Sequence, residues 1–245
     1  MPAGITALDS LALAWWAGWW LVYNLALDRW RWGPVSINHY LRGIRRSWMR
    51  QMLRRENRIT DAALIASVIQ STSFFASTAI LMLAGVVGLM GYVDAARAVI
   101  ADFAFAAAPA KAVIELKLLI LMAVFVYAFF KFTWALRQFN YMTALIGAAP
   151  EVSTDTFPGA AAGEAAEHEA YANNAAEVLS SAMTSFNGGT RAFYFALAVM
   201  AWFLHAWVFV AATTMVMAVL LRRQFVSRTF DAVRAIARTH GGMGN

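Results

Sequence analysis

The 245-residue chain contains no cysteine, which excludes disulfides, thiolate metal sites and cysteine nucleophiles. No Lys or Arg precedes Arg29, and no short apolar core leads to a small-residue cleavage site, so the first apolar stretch reads as a retained membrane helix rather than a signal peptide. Enzyme signatures are missing as well. No nucleophile elbow, phosphate-cradling glycine loop or carboxylate pair lies near an apolar segment, and the expectation is a protein that is not an enzyme. Charge is absent over long distances. Ala62 to Val93 carries none, and Ala192 to Leu221 is interrupted only by His205. A bilayer core about 30 Å thick takes roughly 20 apolar helical residues to cross, and both runs exceed that length.

What is present points the same way. Hydrophobic residues make up 61% of the chain, against about half in a soluble domain. Ten Trp and seventeen Phe suit a protein that lodges aromatic rings at bilayer interfaces. The pattern predicts an all-α polytopic bundle with spans at about 8–27, 63–91, 113–136 and 192–221, in one membrane domain over 1–245. The first span is unusually aromatic, with Trp15, Trp16, Trp19 and Trp20, and Gly33-Pro34 ends that region. Pro109 is placed as a first-turn proline before the third span.

The net charge of +6 suits anionic lipid headgroups, and with no soluble basic domain it does not indicate nucleic acid. Nine arginines lie between the first two spans, from Arg29 and Arg31 to Arg58. Among them Leu41, Ile44, Trp48 and Met52 recur at helical spacing, which predicts a basic amphipathic helix on the membrane surface. Arg42, Arg45 and Arg46 of this segment, with Lys131 and Arg137 at the end of the third span, are the candidates for holding an anion or lipid headgroup. The tail over 222–245 predicts a second basic helix, with Val226, Phe230, Val233 and Ala237 in helical register and a disordered end from Gly241-Gly242. The stretch 148–190 is rich in Ala, Gly and acid, with Asp155 and Pro158 in its irregular part. It predicts a solvated connector whose helix, from about Ala160 to Ser185, is stopped by Asn187-Gly188-Gly189.

Basic residues favour the cytoplasmic side. Four spans place the arginine-rich loop and the five-arginine tail on opposite sides, a conflict that the first loop wins by its charge and position; a fourth segment broken near His205 would return the tail to the cytoplasm, but each half is too short to span.

Two spans carry candidate functional side chains. In the second, Ser67, Gln70, Ser71, Phe74, Ser77, Thr78, Leu81, Gly85 and Gly88 fall on one helical face. Small and hydroxyl residues let membrane helices approach closely and hydrogen-bond across the contact. Ser67, Gln70, Ser71, Ser77 and Thr78 therefore form either a helix seam, within or between protomers, or the lining of a pore. In the fourth, His205 is a satisfied structural histidine or a carrier of protons or ions. As a haem ligand it lacks a second histidine within a span, and no histidine pair has metal-ligand spacing. No cofactor and no metal site are expected.

Three further segments carry a resemblance. Ser71-Thr72-Ser73-Phe74-Phe75-Ala76-Ser77-Thr78, Lys131-Phe132-Thr133-Trp134-Ala135-Leu136-Arg137-Gln138-Phe139-Asn140-Tyr141 and Gly189-Thr190-Arg191-Ala192-Phe193-Tyr194-Phe195-Ala196 are similar to segments of the bacterial and plant membrane family catalogued as domain of unknown function five-nine-nine. With His39-Tyr40 and Arg42 to Trp48, the resemblance covers about 35 to 227. It implies a multi-span membrane protein and no assigned activity.

The sequence thus predicts a multi-pass protein of the bacterial inner membrane, with anionic lipid and further copies of itself as partners. Its function is expected to be that of a homo-oligomeric channel or transporter. The alternatives are an accessory protein that binds another membrane complex or lipid, and a haem- or metal-bearing redox protein.

Overall fold

Helix α1 (Ala7–Val22) opens on a capping box: Thr6 Oγ1 accepts from the Asp9 amide at 3.1 Å, and the Thr6 amide donates to Asp9 Oδ2 at 3.1 Å. The computed structural model describes residues 6–24, 37–94, 110–151 and 161–241, with side chains left aside at 161, 162, 240 and 241. Residues 25–27 of the first span, Arg29, Arg31, Gly33-Pro34, Pro109, Asp155, Pro158 and Gly242 lie outside the described residues. Among those described, the secondary structure is helical throughout. The remaining helices are α2 (Ile37–Leu53), α3 (Ile59–Met90), α4 (Lys111–Gly147), α5 (Ala161–Ala201), α6 (Ala206–Phe225) and α7 (Arg228–Gly241). Three stretches are long and apolar enough to cross a membrane: Ile59–Met90, Lys111–Gly147, and Ala206–Thr239, which runs from α6 into α7.

The residues form two units. One takes its members from Met1–Gly33, Phe75–Lys131 and Asn187–Arg222, the other from Pro34–Phe74, Phe132–Phe186 and Arg223–Asn245. Helices α3, α4, α5 and α6 each contribute to both.

The first unit packs around aromatic rings. Trp16 lies 6.0 Å from Phe195 and 6.4 Å from Phe209, and Trp20 lies 5.0 Å from Phe195. The unit also corrects one expectation. The stretch 192–221 is not one helix, because α5 ends at Ala201 and α6 begins at Ala206. No glycine or proline causes the break. The last turn tightens into i to i−3 bonds, from the Trp202, Phe203 and Leu204 amides to Val199, Met200 and Ala201. Lys117, buried, donates its Nζ to the freed Trp202 carbonyl at 2.8 Å. A cation there also suits the negative end of the α5 dipole. The Trp202 indole donates to Asp9 Oδ1 at 2.8 Å, so the acid that caps α1 also holds the break. His205 then starts α6, its Nδ1 accepting from the Trp207 amide at 3.2 Å. The Trp202 carbonyl released at the break is thus satisfied by a protein side chain.

The second unit buries Met49, Met52 and Leu53 of α2, Ile65 of α3, Ala135, Phe139 and Met142 of α4, and Ala172, Ala175, Ala176, Leu179 and Ala182 of α5. The expected solvated connector is therefore a core helix. Its alanines recur at steps of three and four and are small enough to admit three neighbours closely, while Glu164, Glu167 and Glu177 stay exposed. Nor do Asn187-Gly188-Gly189 stop the helix. Two glycines cost roughly 1 kcal/mol each in a helix interior, and the buried surroundings of Gly188 and Gly189 outweigh that cost. The two basic helices, α2 and α7, pack on each other, with Tyr40 and Phe230 in edge contact at 5.9 Å.

Candidate functional site

Helix α3 turns one face inward and one outward. Asp61, Ile65, Thr72, Ala76, Ala79 and Val86 are buried, while Ser67, Gln70, Ser71, Ser77, Leu81, Gly85 and Gly88 are exposed and Thr78 is half-buried. The small-polar face is thus not a seam inside the protomer. A Cβ built on Gly85 or Gly88 would meet nothing within 4 Å. The Ser71 hydroxyl donates to the Ser67 carbonyl at 3.1 Å, which satisfies it within the helix. Gln70 stands outward from the part of α3 beyond Asp61, which carries no charge, and there a bare carboxamide facing hydrocarbon would be costly.

The basic candidates are distributed over both units. Arg45 of α2 is half-buried and donates from Nη1 to Ser180 Oγ at 3.3 Å. Burial and then the like charge of Arg42 lower its pKa to about 10, against the opposing pull of Glu177. Arg42 and Arg46 are exposed. Arg137 is exposed and donates from Nε to the Tyr141 hydroxyl at 2.9 Å. Lys131 is half-buried, its Nζ 5.5 Å from the Tyr127 ring centroid. His205 is half-buried at the start of α6. Among the described residues, no three His, Asp or Glu side chains are grouped as a metal site.

Three features lie outside the predicted candidates. Asp61 is fully buried; its Oδ1 accepts from Trp48 Nε1 at 2.6 Å and from Arg55 Nη1 at 2.5 Å. Gln138 donates to Ser181 Oγ at 2.8 Å and accepts from Ser185 Oγ at 3.4 Å, which joins α4 to α5. Arg50 pairs with Glu169 through both Nε and Nη2. The Arg50 hydrogen bond holds the Glu169 carboxyl below its ordinary value of 4.5, outweighing the upward effect of burial. A depressed carboxylate contributes stability that is complete above that value and is lost as pH falls through its folded pKa. Both side chains are more than 40% exposed, so solvent screens the pair. Glu169→Gln is expected to cost under about 1 kcal/mol near neutral pH, and to flatten the acid limb of an unfolding-temperature profile below 4.5.

The family described as "Protein of unknown function, DUF599" matches residues 11–229. The chain belongs to this family. The match takes in every candidate residue of α3, α4 and α6. DUF599 carries no activity in its description, so no residue inherits a role from membership. No curated protein and no solved structure matches the chain.

Proposed function

We propose that the protein is a homo-oligomeric assembly of channel or transport type in the bacterial inner membrane, without catalytic chemistry of its own. The observation that supports this most is the exposed Ser67, Gln70, Ser71 and Ser77 face of a membrane-length helix. Copies of α3 brought together would shield these polar groups from lipid, and Gly85 and Gly88 would let the backbones approach. In a ring of copies, Gln70, Ser77 and Thr78 would line the shared path, and His205 is the candidate for moving a proton or ion.

The contact between α2 and α7 bears on the topology. Two surface helices that touch lie on one side of the bilayer, so an even number of crossings separates them. Helices α3 and α4 supply two. The broken stretch then enters along the end of α5 and returns along α6, both of which lie largely in the first unit. On this reading the chain would make five passes, counting α1, in place of four spans, and the basic loop and the basic tail would both be cytoplasmic.

The test is native mass spectrometry of protein extracted gently from its own membranes, followed by flux in vesicles. A defined homo-oligomer is expected, with flux that changes in Gln70→Leu while subunit number stays the same. A monomer without flux would count against the reading. The second reading, an accessory protein held to anionic lipid or another complex by its paired basic helices, is favoured by a co-purifying partner subunit instead.

A further inference from the structure

Within the first unit, α1 and α4 leave a cleft of about 380 Å³ between them. Trp16, Ala17 and Trp20 form one wall, and Ala123, Val124 and Tyr127 the other. Its size is at the low end of the roughly 300–1,000 Å³ of ligand sites. The walls are hydrocarbon and aromatic carbon almost throughout; the Trp16 indole N–H is turned to the Phe195 carbonyl at 3.3 Å.

The cleft differs at one end. One turn beyond Tyr127, Lys131 places its Nζ 5.5 Å from that ring's centroid. Three residues beyond Trp20, Tyr23 carries the Arg191 guanidinium 5.1 Å from its own ring centroid. The stem of Lys131 and the guanidinium of Arg191 both pass beside Gly188. The point where a Cβ would sit on Gly188 is 3.5 Å from Lys131 Cε and 3.7 Å from Arg191 Nη2.

The sequence places the pair at the border of the hydrocarbon. Leu118 to Phe130 is uncharged and ends at Lys131; the apolar run Ala192 to Leu221 begins immediately after Arg191. At that depth a long basic side chain is held by protein groups, by headgroups or by a counter-ion; Arg191 is buried and Lys131 half-buried.

We propose that the cleft and the two cations form a site for one anionic phospholipid of the surrounding bilayer, with an acyl chain between α1 and α4 and the phosphate on Lys131 and Arg191. The guanidinium offers a planar pair of donors and the ammonium a point charge, the two complementary ways of holding a phosphate oxygen. The apolar walls select an amphiphile over free phosphate. The inference stands apart from the oligomer reading, since every group in it belongs to one protomer.

The experiment is native mass spectrometry of the delipidated full-length protein, titrated with phosphatidylglycerol and with phosphatidylcholine of the same chains. One phosphatidylglycerol per protomer is expected, at concentrations where phosphatidylcholine does not bind. Lys131→Gln is expected to weaken it about tenfold, a loss of roughly 1.4 kcal/mol. Ala123→Phe, at an exposed position on the cleft wall, fills the slot and is expected to abolish binding with both cations intact. Unchanged elution volume and unfolding temperature establish that each variant is folded. Equal binding of the two lipids by the unaltered protein overturns the proposal. So does full retention in Ala123→Phe, or displacement of the lipid by inorganic phosphate, which would make the site one for the free anion.

Discussion

Single cysteines introduced at Arg54 and at Ala235 are expected to react with a membrane-impermeant maleimide from the same side of the membrane. The chain has no cysteine of its own, so each label reports one position. Arg54 is exposed just after α2, and Ala235 is exposed on α7. Their helices pack together within one unit, which two opposite faces of a bilayer could not permit. A cysteine at Met200, exposed near the end of α5, serves as the reference for the far end of the broken stretch. Labelling of positions 54 and 235 from opposite sides would remove the five-pass arrangement.

The second large effect is expected at Asp61. Its carboxylate is fully buried and is shared by the Trp48 indole and the Arg55 guanidinium. Asp61→Ala removes both bonds and leaves the half-buried Trp48 N–H without its acceptor. Arg55 is 44% exposed and regains water, so the loss falls below that of a fully buried pair. About 2–3 kcal/mol is expected, from a charge-assisted bond lost and a half-buried donor stranded. Asp61→Asn keeps an acceptor for Trp48 and is expected to cost about half as much. Thermal unfolding in detergent measures both; an Asp61→Ala protein that melts with the unaltered one would show that the α2–α3 junction is held by packing alone.

The parts of the fold that were legible in the sequence are those set by local pattern. Uncharged runs announced α3 and α4, and the spacing of Leu41, Ile44, Trp48 and Met52 announced α2. What was not legible depends on distant partners. The break at Trp202 has no glycine or proline signal because the carbonyl it frees is met by Lys117, 85 residues away in the chain, and the Trp202 indole is anchored on Asp9, 193 residues away. Gly188 looked like a helix stop because a glycine's local cost can be read from sequence, whereas the Lys131 stem beside it cannot. The acidic stretch looked solvated because alanine is nearly neutral in hydropathy; burial of Ala172, Ala175 and Ala182 follows from how closely α2 and α4 approach. The α3 face was recognised as a unit from spacing alone, but only its exposure in the protomer directs it outward.

Oxidative cross-linking of single cysteines along α3, in native membranes, tests that outward face most directly. Gly85→Cys, with open space around it, is expected to form a disulfide-linked dimer under mild oxidant, and Ala79→Cys, fully buried on the opposite face, is expected to stay monomeric. A Gly85→Cys protein that remains monomeric while the buried control behaves as expected would contradict an assembly built on α3.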